Sequence, residues 1–307
     1  MPALICGSLA FDTITNFHGR FADQILPDQV HILNVSFLVP TLRREWGGCA
    51  GNIAYNLQLL GGTPVVLAAL GVDGGEYLRR IESWGADTSL IWRDGELHTA
   101  QCHITTDTDN NQITAFHPGA MAHAHKLAVP GRAQRADLAL GIVAPDGAQA
   151  MWEHAEQMHR EGIPFIFDPG QQLPQFDGAQ HRALLAMARW AALNDYEAKM
   201  LEERTGETLA QMSRRDNIEG IVVTLADQGC ELWRRGERTH VPGVKAASVQ
   251  DPTGCGDAFR AALLYGLERG WDLVRCAELG NRLGALKIAH RGPQNHALDA
   301  ATKALLV

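Results

Sequence analysis

The chain has no excess of positive charge: 27 Lys and Arg stand against 35 Asp and Glu, a formal net charge of −8 over 307 residues. That balance excludes an extended nucleic-acid face, which needs clustered Lys and Arg to neutralise phosphates. A local basic pocket for one small phosphate remains compatible with it. The six cysteines, at positions 6, 49, 102, 230, 255 and 276, form no C-x-x-C pair, so the spacing of structural zinc and dithiol sites is missing. Single cysteines in apolar stretches read as small buried hydrophobes in a reducing cytosol. No stretch reaches the roughly 18 to 20 continuous apolar residues of a membrane span. The apolar run from Ala3 to Phe11 lacks a basic lead and is stopped by Asp12, unlike a secretory leader. A soluble, cytoplasmic protein with no membrane or nucleic-acid partner is expected.

Several catalytic signatures are missing too. No G-x-x-x-x-G-K-[ST] occurs, and Phe259 stands where Gly254 and Gly256 would need a third glycine for a dinucleotide fingerprint. The 13 histidines form no H-E-x-x-H, and no H-x-E is paired with P-C-x-x-C, which leaves zinc hydrolase and deaminase chemistry without ligands.

What is present is an alternation of apolar runs and helical periodicities. Ala3 to Gly7, VVLAALG, DLALGIVAP, FIFD, AALN and GIVVTL read as buried strands. CAGNIAYNLQLLGG, GGEYLRRIESWG, AQAMWEHAEQMHREG, HRALLAMARWA, DYEAKMLEERTG, AFRAALLYGLERG and CAELGNRLGALKIAH read as helices, and CELWRR with GERTHVP as a hairpin. Near-continuous apolar strands separated by helices imply a mainly parallel sheet covered on both faces. His18 to Arg44 and His98 to Phe116 break the rhythm. VHILNVSFLV reads as strand, and TAQCHITTD and QITAF flank an Asp-Asn-Asn turn, a hairpin signal. Inserted segments of about 14–45 and 95–120 are therefore expected to pair into a small β lid on a single α/β domain spanning 1–307, at the strand ends where open α/β sheets bind ligands.

The sharpest segment is Asp251-Pro-Thr-Gly-Cys-Gly-Asp257, leading into a strongly apolar helix. Gly254 and Gly256 let backbone approach a ligand, and the unpaired N–H groups of the helix start attract an anion. With a carboxylate, Asp257, in the same turn, the segment suits phosphoryl transfer: N–H donors hold the phosphate and the carboxylate takes a hydroxyl proton. An aspartate helix cap after a Gly-rich turn is the plain alternative.

DPTGCGDAF, with the Gly47-Gly48-Cys49-Ala50-Gly51-Asn52 stretch and Asn194-Asp195-Tyr196-Glu197, resembles the signatures of the ribokinase-like (PfkB) carbohydrate and nucleoside kinases, in matching order over essentially the whole chain. The pattern is most similar to bacterial purine nucleoside kinases of the adenosine-kinase branch. The resemblance implies a ribokinase-like three-layer α/β sandwich and an ATP-dependent kinase for the 5′-hydroxyl of a purine nucleoside. It makes Asp257 the catalytic base and Gly254, Cys255 and Gly256 the anion hole. It puts Asp12, Gly48 and Asn52 on the ribose hydroxyls, a pairing that a carboxylate and an amide can make; turn and helix-start roles would explain Asp12 and Asn52 as well. It further implies Mg²⁺ held through water by Glu197, with Asn194 on the ATP phosphates and Asp168 as a weaker candidate. Asn194 with Glu197 is equally a capping box, and Asp168 a turn residue. Asp251 and the Thr253 carbonyl stand where relatives bind a monovalent cation such as K⁺.

The chain departs from the family in three places. The T-x-G-x-x-G nucleotide loop reads Thr224-Leu-Ala226-Asp-Gln-Gly229; Asp168-Pro-Gly170 is not followed by the Asn and Arg of many sugar-phosphate kinases; and Arg260 follows the anion hole, as a phosphate-neutralising group or an exposed helix residue. Gln112, Phe116, His117 and Met121 on or beyond the lid hairpin suit a purine base, though lid packing explains Phe116 and Met121 as well. A ribose- or fructose-type sugar kinase and a non-catalytic nucleotide-binding regulator are the other readings, and the chain is expected to be a monomer or a homodimer through the lid.

Overall fold

The computed structural model describes residues 1–25, 34–109 and 111–306. Strand β1 (Pro2–Cys6) runs directly into β2 (Ala10–Asn16), which pairs with β3 (Thr41–Gly47). Helix α1 (Cys49–Leu59), β4 (Thr63–Leu70), α2 (Gly75–Ser83) and β5 (Ile91–Arg93) follow. The hairpin β6 (Ala100–Thr106) and β7 (Gln112–His117) comes next, then β8 (Leu140–Val143), α3 (Ala148–Arg160) and β9 (Phe165–Phe167). Helix α4 (Gly178–Met187), β10 (Trp190–Asn194), α5 (Asp195–Thr205), α6 (Leu209–Met212) and β11 (Gly220–Thr224) continue the alternation. The chain closes with β12 (Gly229–Arg234), β13 (Glu237–Pro242), α7 (Cys255–Glu268), α8 (Leu273–Ile288) and α9 (Ala300–Ala304).

The main sheet has the order β13-β12-β11-β10-β9-β8-β1-β4-β5. All neighbours from β11 to β5 are parallel, and only the β11–β12–β13 edge is antiparallel. Successive side chains of a strand point to opposite faces, and the core divides accordingly. Ala3, Ile5, Val66, Ala68 and Ile142 pack on α1, α2, α7 and α8, while Leu4, Cys6, Val65, Leu67 and Val143 pack on α3, α4, α5 and α6. Helices on both faces of a parallel sheet make the expected three-layer sandwich.

A second sheet, ordered β3-β2-β6-β7, stands apart from the first. Gln112–His117 pairs with β6 as a hairpin, as expected, with Asn110 of its turn outside the described residues; the other strand expectation shifts. Residues 30–33 of VHILNVSFLV lie outside the described residues, and 34–39 form no strand. The strand is Thr41–Gly47, because β2 ends at Asn16 and pairs from there back to Ala10. Its charged residues Arg43, Arg44 and Glu45 masked it; Leu38 is 85% exposed and Phe37 turns aside to pack on Phe17 and Phe21. The helix read through Trp190 stops at Met187, and Trp190 instead opens β10.

The departure at the nucleotide loop has a backbone consequence. Ala226 adopts φ +52°, the left-handed region that costs an L-residue with a side chain roughly 1–2 kcal/mol and glycine little. Urea denaturation of Ala226→Gly should therefore show a gain of up to about 1 kcal/mol, after the unfolded-state entropy that glycine adds.

Candidate active site

The segment between β13 and α7 builds the centre of the site. Gly254 is the N-cap of α7, at φ +79°, and it offers no side chain to the helix start. Asp257 lies three residues into the helix, so it does not cap it. Five other helices, α4, α5, α6, α8 and α9, are closed by Asp, Asn or Thr side chains. The N–H groups of Gly256 and Asp257, in the first turn, have no intrahelical acceptor and remain available to an anion, whose charge the helix dipole favours.

Asn52, in α1 and buried, reaches this point: its Nδ2 donates to Asp257 Oδ2 at 2.8 Å. Its orientation is imposed from behind. Gln294 Nε2 donates to Asn52 Oδ1 at 3.0 Å and to Tyr77 Oη at 2.7 Å, and the Tyr77 hydroxyl donates to the Gly47 carbonyl at 2.6 Å. An amide whose oxygen is taken by Gln294 must turn its nitrogen to the carboxylate. Gln294 and Tyr77 carry no motif in the sequence. A buried Gln far from any signature is invisible until the chain folds across a separation of 242 positions.

Asp12 sits on β2, buried, beside the glycine pair. A Cβ on Gly47 would collide with its carboxylate, and one on Gly48, at φ +84°, would lie 2.5 Å from the Ser8 carbonyl. Gly48 thus lets α1 begin against the β1–β2 turn, where Cys49 N–H donates to Ser8 Oγ and Ala50 N–H to the Ser8 carbonyl. Asp12 is pushed up to about 6 by burial and then by the charge of Asp257. Asp257 is likewise pushed up to about 6 by burial, with the Asn52 hydrogen bond pulling the other way. Asp12 thus feels the charge of Asp257, while the charge that raises Asp257 is that of Asp168, since a like charge nearby disfavours ionisation.

A cleft of about 390 Å³ opens from Asp257. Its walls carry Gly254, Gly256, Asn194, Glu197, Thr224, Ala226, Asp168 and Arg260. Gly229 is not among them; its backbone is fixed by close approach to Val241 and Gly243 of the β13 end. Asn194 and Glu197 form the capping box: Asn194 Oδ1 accepts from Glu197 N at 2.7 Å and Glu197 Oε2 from Asn194 N at 2.8 Å. Both residues still face the cleft, and burial raises the Glu197 carboxyl, as does the charge of Asp168. Arg260 is 5% exposed, which removes the exposed-helix reading. Its Nε and Nη2 donate to Asp168 at 3.2 and 3.1 Å, and Nη2 lies 3.9 Å from Glu197. Its Nη1 is left under Gly256, 3.5 Å from where a Cβ would stand. An arginine is thus brought to Asp168 from α7.

On the second sheet, Glu45, Asp12, Cys102 and Phe116 are directly paired across four strands and so share one face. Gln112 lies on that face but is paired with Thr106, four residues along from Phe116 and about 13 Å away at the rise of a strand. His117 is paired with Gln101 on the opposite face. Met121 packs with Ala10 and Ala100, one step from the Asp12 row. Cys102, missed in the sequence, is the neighbour of Asp12 whose thiol is pushed up to about 11 by burial and by that carboxylate.

Asp251 and Thr253 are in the loop before α7. The Asp251 carboxylate accepts from Thr253 N at 3.0 Å, Gly292 N at 2.9 Å and Arg43 Nη2 at 3.2 Å. No helix among the described residues is long and apolar enough to cross a membrane.

An open helix N-terminus, a carboxylate held on it, and a cleft with further carboxylates and an arginine define an α/β kinase acting on a hydroxyl group. The pattern of the pfkB family carbohydrate kinases matches residues 13–301, and the chain belongs to that family. The nucleoside kinase of Burkholderia thailandensis in complex with inosine superposes with a TM-score of 0.87 at 46% identity, over 98% of this chain and 95% of that one. Its ADP–inosine complex gives 0.84 at 48%, over 99% and 94%. The nucleoside kinase of Methanocaldococcus jannaschii, described as an archaeal member of the ribokinase family, gives 0.88 at 25% over 99% and 97%. The fold is the ribokinase-like α/β fold.

Burial of the Asp257 charge has a stability consequence with a definite sign. A carboxyl raised from 3.8 to about 6 on folding is penalised in its ionised form once the pH exceeds the unfolded value, and the penalty is complete above about 6. Asp257→Asn should melt higher than wild type at pH 7, and the gap should close as the pH falls below about 4. Calorimetry across that range measures it.

Proposed function

We propose that the chain transfers the γ-phosphoryl group of ATP to the 5′-hydroxyl of a purine nucleoside, adenosine, inosine or guanosine, giving the nucleoside monophosphate and ADP. The observation that carries this reading is the Asn52–Asp257 contact at the open start of α7, with Asp12 beside it. Similarity to a kinase described in complex with inosine supports the acceptor class.

In this reading Asp12 and Asn52, with the Gly48 backbone, take two ribose hydroxyls, and Asp257 takes the 5′-hydroxyl proton as its oxygen attacks phosphorus in line. The N–H groups of Gly256 and Asp257, with Gly254, cradle the transferring phosphate; Cys255, expected in the same anion hole, turns its N–H to the Pro252 carbonyl at 3.2 Å. Arg260, Thr224 and Asn194 face the ATP phosphates, and Gly229 shapes their loop. The carboxylates of Glu197 and Asp168 with Asp257 outnumber the single Arg260, a hard-oxygen, net-negative surround that fits Mg²⁺ entering with the triphosphate; Glu197 would hold it through water. Bound there, Mg²⁺ supplies charge neutralisation on the phosphates. Phe116, Cys102 and Met121 adjoin the Asp12 row and form the base side, while Gln112 reaches a base only if the second sheet moves as a lid. The exposed edge of β7, with Ile113 and Phe116 half exposed, is the surface through which a homodimer would form, and sedimentation separates that from a monomer.

A panel of adenosine, inosine, guanosine, ribose and fructose with ATP, read as ADP formation, tests the acceptor. Turnover on purine nucleosides and none on the free sugars is expected; activity on ribose alone would overturn the proposal. Asp257→Asn should lower kcat by ~10² to 10⁴ while nucleoside affinity stays within a few fold. Because Asp257 must be ionised, kcat/KM of the wild type should fall as the pH drops through about 6.

A further inference from the structure

The family resemblance implies a monovalent cation at Asp251 and Thr253, and the residues present do not fit one. Lys287, in the last turn of α8, is fully buried. Its Nζ donates to the Asp251 carbonyl at 2.7 Å and the His290 carbonyl at 3.2 Å. Next to it the Asp251 carboxylate is already filled by two backbone N–H groups and Arg43. The Asp251 oxygens that would strip water from a free cation are thus occupied by N–H donors, and two fixed positive groups stand where the ion would add a third. A buried ammonium is expensive without partners; here its partners are backbone carbonyls, the ligand type that holds K⁺ elsewhere in proteins.

The place matters because of what the carbonyls belong to. Gln250 N and Asp251 N donate to the Ile288 carbonyl at the end of α8, so residues 250–251 are tied to that helix end. Helix ends of this polarity attract a cation. Four residues after Asp251 begin the N–H groups of α7. A charge that fixes this loop fixes the anion-binding turn.

We propose that the Lys287 ammonium is a built-in replacement for a monovalent cation: it holds the 250–254 loop against the end of α8 and makes phosphoryl transfer by this chain independent of K⁺. Lys287 is a positioning residue, since it acts on the anion-binding turn through the loop. The proposal uses the kinase assignment and leaves the identity of the acceptor free.

The test uses the full chain with the Tris salt of ATP, in choline chloride or in KCl at equal ionic strength. Wild-type ADP formation should differ by less than about twofold between the two salts, well under the 5- to 150-fold of a typical coupled site. Its melting temperature should be the same in both, since a bound ion would raise it in proportion to occupancy. Lys287→Ala, which opens space beside the carbonyls, should lose at least about tenfold in choline and recover with K⁺ or NH₄⁺, its melting temperature rising with them. Lys287→Met, which fills the space without charge, should lose activity and not recover. The proposal is overturned if the wild type needs K⁺ for turnover, if its melting temperature climbs with K⁺, or if Lys287→Ala works fully in choline. Should both variants fail to fold, the two wild-type comparisons decide. The melting measurement needs no acceptor, so a wrong acceptor and a wrong cation assignment give different results.

Discussion

The structure depends on one hydrogen bond between helices that start on opposite sides of the site, from Asn52 of α1 to Asp257 of α7. Both helices begin at glycines without side-chain caps; the first N–H groups of α1 are taken by Ser8, while those of Gly256 and Asp257 in α7 have no intrahelical acceptor. A carboxylate placed there is drawn to the helix dipole and resisted by burial. The Asn52 amide offsets part of the resistance and fixes where the oxygen points. Gln294, Tyr77 and the Gly47 carbonyl hold that amide in turn, so the position of the Asp257 carboxylate is tied to three other stretches of chain, around residues 47–52, 77 and 294.

Charge is arranged in layers around this point. On top of burial, Asp257 raises Asp12, and Asp168 raises Asp257. Behind the cleft, Arg260 is locked between Asp168 and Glu197, a buried pair whose hydrogen bonds keep the guanidinium in a single orientation. On the far side of the anion turn, Asp251 is balanced by Arg43 and Lys287. Arg43 belongs to the second sheet, so the loop before α7 touches both sheets. Buried charge of this kind weakens the fold at neutral pH, a cost typical of sites built to move protons.

The second sheet places Asp12 in a row with Glu45, Cys102 and Phe116. Register decides which side chains share the row, because a slip of one residue would turn every one of them to the other face. This separates Phe116 from its neighbour His117 and sets Gln112 at the distant end of the hairpin.

The sandwich was legible because each of its signals is local. Continuous apolar runs need burial on two faces, helical periodicities need one, and the glycines of DPTGCGDAF and GGCAGN mark backbone that must approach something closely. Charged β3 was hidden because its partner and not its composition makes it a strand, and the described residues 34–39 of the apolar run before it form no strand. Legible as residues but not as roles were Arg260 and Glu197: whether an arginine is exposed or locked to Asp168, and whether a glutamate caps a helix, depends on contacts across 92 positions in the first case and three in the second. Gln294, Tyr77, Cys102 and Lys287 had no signal at all. What composition and order determined by themselves was the sandwich and the glycine-opened start of α7 with Asp257 in its first turn. Only folding decided which groups orient that carboxylate and which positive charge holds its loop, because a polar side chain takes its meaning from the partner that replaces water, and those partners are brought together from distant parts of the chain.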